Sequence, residues 1–454
     1  MNRYFLDPFG CVKNQVDAEN MMAHLCHAGW ENTSDAETAD LIIVNSCGFI
    51  ESAKQESIDA VLGWRKLYPG KKILLAGCLT QRYAKELPDI LPEADAFMGV
   101  EDLAENPAQI LKISEALIAN NKQKTENDNP ITNLPTGERP LLSLPGSAYV
   151  KISEGCSNCC SYCAIPLIRG SLVSRAIPDI VEECRVLLKR GIVELNIIGQ
   201  DIGAYGMEEN KKNSKLPELL NAISTLEGNF WVRLLYIHPD HFPLKILDLM
   251  EKDKRFLPYF DIPFQHASTK ILTAMNRNHE PAAFPANRYL ALLKTIRSRL
   301  PDAVIRSTFM LGFPGETEED FAALLDFQQK ASLDWLGCFA YSREEGTGSY
   351  SMKGRIPAKV AVIRKQTIEE RQLPITEKNM DRFTGKTLDV LVEEHFQTEV
   401  PDVSGESLWL GRLFCQAPDI DGATVIVSGK NLQLGTLVKG EVIARNGFDL
   451  EVRI

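Results

Sequence analysis

The chain has 454 residues, of which 44% are hydrophobic and 24% charged, a composition typical of a globular protein with two or three domains. Its formal net charge of −11 argues against a surface given over to nucleic-acid binding, although a local basic groove remains compatible with it. The first residues contain no apolar run of signal-peptide length, and no later run approaches the ~18 apolar residues that span a bilayer. We therefore expect a cytoplasmic protein without a membrane partner.

Residues 1–119 alternate between strand and helix patterns. Short apolar runs at 3–6, 41–45 and 73–76 are typical of buried parallel strands, and helical patterns cover 17–28 and 50–64. This alternation predicts an open parallel α/β domain. Residues 120–146 are polar, carry four prolines and are predicted to form a linker.

Residues 147–381 repeat a strand-then-helix unit six times. The predicted strands are 149–152, 193–198, 231–236, 259–264, 304–310 and 335–341, with helical patterns such as 180–190 and 319–331 between them. Thr317 and Asp320 form a candidate capping box for the last of these helices. Six such units predict a partial (βα)6 barrel with its chemistry at the carboxyl ends of the strands.

Residues 383–454 change character. Alternating runs at 387–392, 423–427 and 441–445 are separated by Gly, Asp and Asn. This pattern predicts a small all-β barrel or sandwich at the end of an otherwise α/β protein.

The chain contains 11 cysteines, and a tight group of them follows the first barrel strand. Cys156 and Cys163 bracket the doublet Cys159-Cys160, on the loop where a barrel enzyme places its reactive centre. Three thiolates suit a 4Fe-4S cluster that keeps one iron open. A structural zinc loop is the alternative, because Cys156 and Cys159 form a CxxC pair, but neither a second CxxC nor an HxxxH pair lies nearby.

Three further cysteines each follow a predicted strand of the amino-terminal region, at Cys11, Cys47 and Cys78. Ligands collect beyond the carboxyl ends of parallel strands, so these thiolates are predicted to converge on a second iron–sulfur cluster. The alternative is that each is a small residue in a tight turn, since a glycine accompanies every one.

The spacing Cys156-x3-Cys160-x2-Cys163, with Tyr162 before the last cysteine, resembles the signature of the radical S-adenosylmethionine (SAM) superfamily. The resemblance selects Cys160 over Cys159 and implies that the open iron binds the methionine part of SAM. It also implies release of a 5′-deoxyadenosyl radical, chemistry that belongs to the cofactor.

The whole chain is similar to the methylthiotransferase family, whose members combine a three-cysteine domain, a radical SAM core and an OB-like TRAM domain. The resemblance implies domains at 1–119, 147–381 and 383–454. It implies two 4Fe-4S clusters, SAM as both methyl donor and radical source, and an electron donor such as flavodoxin or ferredoxin. The sulfur donor is unknown.

The same resemblance implies four cofactor contacts besides the cluster ligands. Tyr162 precedes the last cysteine, Gln200 lies in the loop that holds the methionine portion, Arg306 is placed to pair with a carboxylate, and Gly312 lets the backbone approach the adenosine. For Arg306 an ion pair on the surface, and for Gly312 plain turn chemistry, are the alternatives. No catalytic side chain beyond the cluster ligands is predicted, and His266 is given no role in proton transfer.

Several segments resemble the branch of this family, known as RimO, that adds a methylthio group to the β carbon of an aspartate in ribosomal protein S12. They are residues 47–59 (CGFIESAKQESID), 151–156 (KISEGC), 261–268 (DIPFQHAS) and 416–422 (QAPDIDG). The alternative is the branch known as MiaB, which modifies adenosine in transfer RNA. A second alternative is a non-catalytic electron carrier.

The net charge of the carboxyl-terminal region helps to distinguish a protein substrate from an RNA substrate. Residues 384–454 hold 6 Lys and Arg against 11 Asp and Glu, a net of −5. An RNA-binding module needs cations for phosphates, whereas an acidic one attracts a basic protein. We therefore expect S12 as partner and no direct nucleic-acid substrate, although a solvated acidic surface would give the same count.

Some positions depart from the family pattern. The lead-in at residues 7–9 and the Cys159 doublet depart from the family pattern without removing a ligand, and residues 343–347 vary a loop that the family uses near its substrate. The remaining cysteines are predicted to be buried core residues: Cys26, Cys184, Cys338 and Cys415.

Overall fold

The computed structural model describes residues 1–101, 109–119, 137–208, 213–277, 285–396 and 406–454. Most of the predicted linker, residues 120–136, lies outside these ranges. The described chain forms two compact units, one comprising Met1–Leu142, Ser153–Arg175 and Ser342–Tyr350, the other Ser143–Ile152, Ala176–Tyr341 and Ser351–Ile454. Among the described helices none is long and apolar enough to cross a membrane.

The strands and helices are numbered in chain order. The strands are β1 Arg3–Pro8, β2 Glu31–Asn32, β3 Leu41–Ser46, β4 Lys72–Gly77, β5 Ala96–Met98, β6 Ser147–Lys151, β7 Ser153–Glu154, β8 Val173–Ser174, β9 Glu194–Ile198, β10 Trp231–Leu234, β11 Phe256–Asp261, β12 Val304–Leu311, β13 Trp335–Ala340, β14 Thr387–Phe396, β15 Ser407–Leu413, β16 Thr424–Ser428, β17 Leu437–Asn446 and β18 Asp449–Arg453. The helices are α1 Val12–His27, α2 Glu51–Leu67, α3 Cys78–Arg82, α4 Leu87–Ile90, α5 Gln109–Ala119, α6 Ile165–Arg169, α7 Ile177–Lys189, α8 Leu216–Ser224, α9 Ile246–Lys252, α10 Thr269–Ala274, α11 Pro285–Arg299, α12 Glu318–Ala331 and α13 Ala358–Asp381.

The first unit contains a parallel sheet in the order β2-β1-β3-β4-β5. Its central strand, β3, is buried on both faces, with Leu41 and Ile43 in one apolar cluster and Ile42 and Val44 in another. This is the arrangement expected of a sheet covered by helices on both sides. Strands β2 and β5 were not predicted, because two or three residues are too few to show a periodic pattern.

Helix α1 begins earlier than predicted. The sequence pattern placed its start at Asp17, but the helix begins at Val12, directly after Cys11. Cys11 has extended backbone angles (φ −93°, ψ 170°) and makes no side-chain capping bond. Cys11 is therefore the N-cap residue of α1, but cysteine is not a typical N-cap residue. The sequence consequently gave no signal for a helix start at this position.

The second unit contains a six-stranded parallel sheet in the order β6-β9-β10-β11-β12-β13. This sequential order confirms the six predicted βα units. Strand β11 begins and ends three residues earlier than predicted, because its pairing with β12 ends at Asp261 opposite Arg306 while the apolar run continues. The predicted capping box is also present, with Thr317 and Asp320 bonded to each other's backbone at the start of α12.

The carboxyl-terminal strands close into a barrel in the order β14-β15-β16-β18-β17. Residues 397–405, between β14 and β15, lie outside the described part of the chain. The barrel confirms the predicted all-β tail and decides between barrel and sandwich. Five strands were found where three alternating runs had been recognised.

Candidate functional site

Cys11, Cys47 and Cys78 lie at one edge of the amino-terminal sheet. Cys11 follows β1, Cys47 directly follows β3, and Cys78 directly follows β4 as the first residue of α3. Because β1, β3 and β4 are adjacent parallel strands, their carboxyl ends meet at the same edge. The predicted placement of all three cysteines is confirmed; their role as ligands stays a prediction.

Two glycines let these segments approach each other. A Cβ at Gly10 would lie 3.1 Å from the Cβ and 3.5 Å from the Sγ of Cys47. A Cβ at Gly48 would lie 2.6 Å from the carbonyl oxygen of Cys78. The glycine before Cys11 therefore packs on Cys47, and the glycine after Cys47 packs on Cys78. This close packing, rather than a tight turn alone, accounts for glycine at these places.

The electrostatics of the thiols reflect the same proximity. Burial raises the pKa of the Cys78 thiol to about 12, with Cys11 and Cys47 raising it further and Arg169 lowering it. Burial also raises the pKa of Cys47, against a hydrogen bond donated by the Phe49 backbone N–H. A cluster would bind these cysteines as thiolates, because a metal centre deprotonates a coordinating thiol.

A single metal ion and an iron–sulfur cluster require different ligand spacings. Among the described residues, no three His, Cys, Asp or Glu side chains lie close enough to hold one metal ion. A 4Fe-4S cluster binds each thiolate to a different iron, so its ligands stand further apart than those of zinc.

The second cysteine group lies on the loop between β7 and α6. The Cys156 N–H donates to the Gly170 carbonyl at 3.1 Å, and the Cys163 N–H donates to the Cys160 carbonyl at 3.1 Å. Gly155 fits beneath this loop only without a side chain, since a Cβ there would lie 2.1 Å from the Ser171 carbonyl oxygen. Backbone contacts thus fix the loop independently of any bound group.

Exposure separates the members of the cysteine doublet. Cys160 is half-buried, like Cys156 and Cys163, whereas Cys159 is exposed. The Sγ of Cys159 also lies 3.8 Å from the carbonyl of Ser157, on its own loop. These positions favour the predicted ligand set of Cys156, Cys160 and Cys163.

Both cysteine groups belong to the first compact unit. Cys78 and Val100 form one apolar cluster with Ala164 and Ile168, which follow the second cysteine group. The sequence analysis had assigned these groups to separate domains of contiguous chain. The structure joins them through residues that no motif marked.

Arg169 makes the most direct link between the two groups. Its Nη2 lies 3.2 Å from the Cys78 Sγ and 2.9 Å from an Asp17 carboxylate oxygen, and its Nη1 lies 2.8 Å from Glu154. The sequence analysis missed this residue. A single arginine six positions after Cys163 carries no distinctive spacing, and its partner Asp17 is 152 residues away.

A buried carboxylate holds the segment 342–350 in the same unit. Glu344 accepts from Arg82 at 2.8 Å, from Lys54 at 3.1 Å and from the Ser342 hydroxyl at 2.6 Å. Although burial opposes ionisation, these bonds lower the pKa of Glu344. The loop that the sequence analysis assigned to substrate fit therefore has a structural anchor in Glu344.

The predicted cofactor contacts fall in different places. Tyr162 is half-buried in the first unit. In the second unit, Gln200 and Gly312 follow the carboxyl ends of β9 and β12, the end at which barrel enzymes bind their substrates. Gly312 has a further reason to be glycine, because a Cβ there would lie 2.5 Å from the Cβ of Ala361.

Arg306 has carboxylate partners within the protein. The residue lies near the amino end of β12, where its Nη1 donates to Asp261 at 3.2 Å and its Nε lies 3.4 Å from Asp421. Its guanidinium does pair with carboxylates, but they belong to the protein, and the pair is buried rather than on the surface. Its contact with the cofactor stays a prediction.

An Asp–His pair at the barrel mouth was also missed. The Asp201 carboxylate lies 2.6 Å from His241 Nδ1 and accepts from the backbone N–H of His238 at 3.0 Å. Against the cost of burial, these contacts lower the pKa of Asp201 to about 2 and raise that of His241. The two residues follow different strands, so their pairing is visible only in three dimensions.

The residues given structural roles mostly behave as expected. Burial lowers the pKa of His266 to about 3. Cys184, Cys338 and Cys415 are buried as predicted. Cys26 is exposed, so its prediction as a core residue was wrong; it lies at the end of α1, with its Sγ 3.3 Å from the hydroxyl of Tyr4.

Comparison with known families divides the chain into three. Residues 3–99 match the uncharacterized protein family UPF0004, residues 150–327 the radical SAM superfamily, and residues 384–454 the TRAM domain. A protein of Treponema denticola named ribosomal protein uS12 methylthiotransferase RimO is 48% identical, covering 98% of this chain and 99% of that protein. The chain belongs to the RimO family. A Bdellovibrio bacteriovorus protein of the same name is 41% identical over 97% of this chain and 95% of its own length.

Membership of the RimO family makes the chain a radical SAM methylthiotransferase and excludes a mere electron carrier. Among solved structures, the radical SAM methyltransferase TsrM from Kitasatospora setae, with cobalamin and a 4Fe-4S cluster bound, has a similar fold. The TM-score is 0.55 at 15% identity, over 77% of this chain and 74% of that one. At this identity the likeness concerns the fold alone.

Proposed function

We propose that the protein adds a methylthio group to the β carbon of an aspartate in ribosomal protein uS12. The observation that carries the proposal is the presence of two three-cysteine groups in one compact unit of a RimO-family chain. A methylthio transfer needs a source of radicals and a source of sulfur, and two open clusters meet both needs.

Six cysteines would hold the two clusters. The cluster that binds SAM would be held by Cys156, Cys160 and Cys163. The auxiliary cluster would be held by Cys11, Cys47 and Cys78. When bound, the clusters and SAM supply the electron, the radical, the sulfur and the methyl group. The chain itself holds the thiolates, excludes water around Cys78 and presents Gln200 at the mouth of the barrel.

The partner would be recognised by charge and shape at the protein surface. The acidic carboxyl-terminal domain, with 11 acidic residues against 6 basic ones, suits a basic protein better than phosphate-rich RNA. The electrons would come from a small carrier such as flavodoxin or ferredoxin, and the protein would act in the cytoplasm.

Mass spectrometry tests the proposal directly. Recombinant uS12 is incubated anaerobically with the reconstituted protein, SAM, a reductant and sulfide, and its peptides are analysed. We expect one aspartate to gain a methylthio group in place of one hydrogen. The variants Cys78→Ala and Cys160→Ala should abolish the gain, whereas the exposed Cys26→Ala should preserve it.

A parallel reaction with transfer RNA decides the substrate. A methylthio group on adenosine and none on uS12 would assign the chain to RNA modification and leave the cluster ligands standing. Full activity in Cys78→Ala would instead refute the auxiliary cluster while leaving the substrate in place.

A further inference from the structure

The guanidinium of Arg169 is buried in the first unit, with only 1% of its side chain exposed. Two carboxylates, those of Asp17 and Glu154, already balance its charge at 2.9 and 2.8 Å. A buried arginine needs such partners, because an unpaired charge in the interior is costly. The two carboxylates are sufficient to balance the charge of Arg169, so its contact with Cys78 is not needed for that purpose.

Arginine can only donate hydrogen bonds, so the Cys78 sulfur accepts from Nη2. A thiol is a weak acceptor, whereas a thiolate is a strong one, and charge-assisted hydrogen bonds are about twice as strong as neutral ones. The thiol also donates weakly to Asn14 Oδ1, at 3.7 Å. A cluster-bound thiolate at Cys78 would therefore accept a stronger hydrogen bond from Arg169 than the thiol does.

We infer that Arg169 is a positioning residue of the auxiliary cluster, which orients the Cys78 thiolate and raises the reduction potential of the cluster. A reduced cluster carries one more negative charge, part of it on the sulfurs, so a cationic donor stabilises the reduced state more than the oxidised one. Because Arg169 follows the SAM-cluster cysteines by six residues, it ties the properties of one cluster to the loop of the other. This inference rests on Cys78 being a ligand, as proposed above.

A redox titration in a simplified background tests the inference. The full-length triple variant Cys156→Ala/Cys160→Ala/Cys163→Ala leaves only the auxiliary cluster, whose midpoint potential is followed by electron paramagnetic resonance. Adding Arg169→Gln should make the potential more negative, because the cation is lost. Arg169→Lys, which keeps the charge but not the fork of donors, should give a smaller shift in the same direction.

Arg139→Gln is the matched control. Arg139 is also buried in the first unit, where its Nε pairs with Glu19 at 2.8 Å. Its loss perturbs the same domain through a different carboxylate, so it should leave the potential within the error of the titration. An equal shift of the midpoint potential in Arg139→Gln would show that any loss of a buried arginine in this unit changes the potential. That result would overturn the inference.

The remaining outcomes are also decisive. An unchanged potential in Arg169→Gln with normal iron content overturns the role of Arg169 alone. Absence of iron from both Arg169 variants, with native circular dichroism, overturns it too, since the residue would then serve assembly. Absence of iron from the triple variant with Arg169 intact refutes instead the auxiliary cluster of the proposed function.

Discussion

At the scale of single residues, the doublet Cys159-Cys160 offers two candidate ligands for one iron of the cluster. Spacing alone allowed either Cys159 or Cys160 to be a ligand, and exposure favours Cys160. We expect Cys159→Ser to retain iron for two clusters and Cys160→Ser to lose the cluster that responds to SAM. Iron analysis and the change in the electron paramagnetic resonance spectrum on SAM addition measure both. The opposite result would reassign the ligand.

Glu344 gives a second prediction at this scale. Its side chain is 2% exposed and faces two cations, Lys54 and Arg82. Replacing it by glutamine removes the carboxylate paired with Arg82 and leaves Lys54 with Glu51 alone, which we expect to destabilise the protein by about 3 kcal/mol. The exposed neighbour Glu345→Gln should cost less than about 0.5 kcal/mol. Chemical unfolding compares the two, and equal losses would contradict the role of Glu344.

At the scale of elements, the loop after β15 explains a motif that sequence comparison had linked to the substrate. Within residues 416–422, Gln416 is buried and Asp421 accepts from the Tyr259 hydroxyl at 2.6 Å and from the Ala417 N–H at 2.9 Å. Tyr259 belongs to β11 of the parallel sheet. The loop is therefore fixed by packing on the protein itself, and its sequence need not reflect contact with a substrate.

Asp421 makes this loop sensitive to pH. Burial raises its pKa to about 6 from an ordinary value of 3.8, against the opposing charge of Arg306. The folded state thus binds a proton more tightly than the unfolded state, so this contribution to stability is complete below pH 3.8 and is lost as the pH rises through 6. The loss amounts to about 3 kcal/mol, from about 1.4 kcal/mol per pKa unit.

The variant Asp421→Asn isolates this effect, because it removes the titrating group. Between pH 4 and pH 6, roughly the range set by the two pKa values, the unchanged protein should lose stability relative to the variant. Unfolding free energies measured for both proteins across this range provide the comparison. Parallel curves would show that Asp421 does not titrate here.

How much of each element the sequence revealed depended on its length. The six barrel strands were recognised because each has four or more mostly apolar residues, whereas β2 and β5 were too short. Strand ends and neighbouring glycines marked Cys11, Cys47 and Cys78, and close spacing marked the second cysteine group. Arg169, Glu344 and Asp201 were not, since their partners lie on other elements and no local pattern encodes such a pairing.

At the scale of the whole molecule, buried ion pairs join the carboxyl-terminal barrel to the amino ends of the parallel strands within the second unit. Arg412 of β15 binds Glu194, the first residue of β9, at 2.6 Å and Glu393 at 2.6 Å. Arg233 of β10 donates to the Phe414 carbonyl at 2.7 Å, and Trp335 of β13 donates to that of Cys415 at 2.7 Å. The TRAM domain is therefore docked on its neighbour.

This docking predicts that the two parts of the second unit lose stability together. Arg412→Met leaves the fully buried Glu194 with fewer cations, which should cost about 3–5 kcal/mol. Hydrogen exchange should then accelerate in β9 as well as in β15. Arg453→Met is the control, since this arginine is 58% exposed in the same barrel and should change neither strand. Faster exchange confined to the barrel would mean that the two parts are independent.

The first unit is made of three separate stretches of chain, so it becomes complete only after the last of them has been synthesised. A ribosome making this chain releases Met1–Leu142 first, Ser153–Arg175 later, and Ser342–Tyr350 only when most of the chain has emerged. Arg169 is absent when Cys11, Cys47 and Cys78 first leave the exit tunnel, and so is Glu344. If these cysteines hold a cluster as proposed, iron delivered to the nascent amino terminus would meet an unfinished pocket.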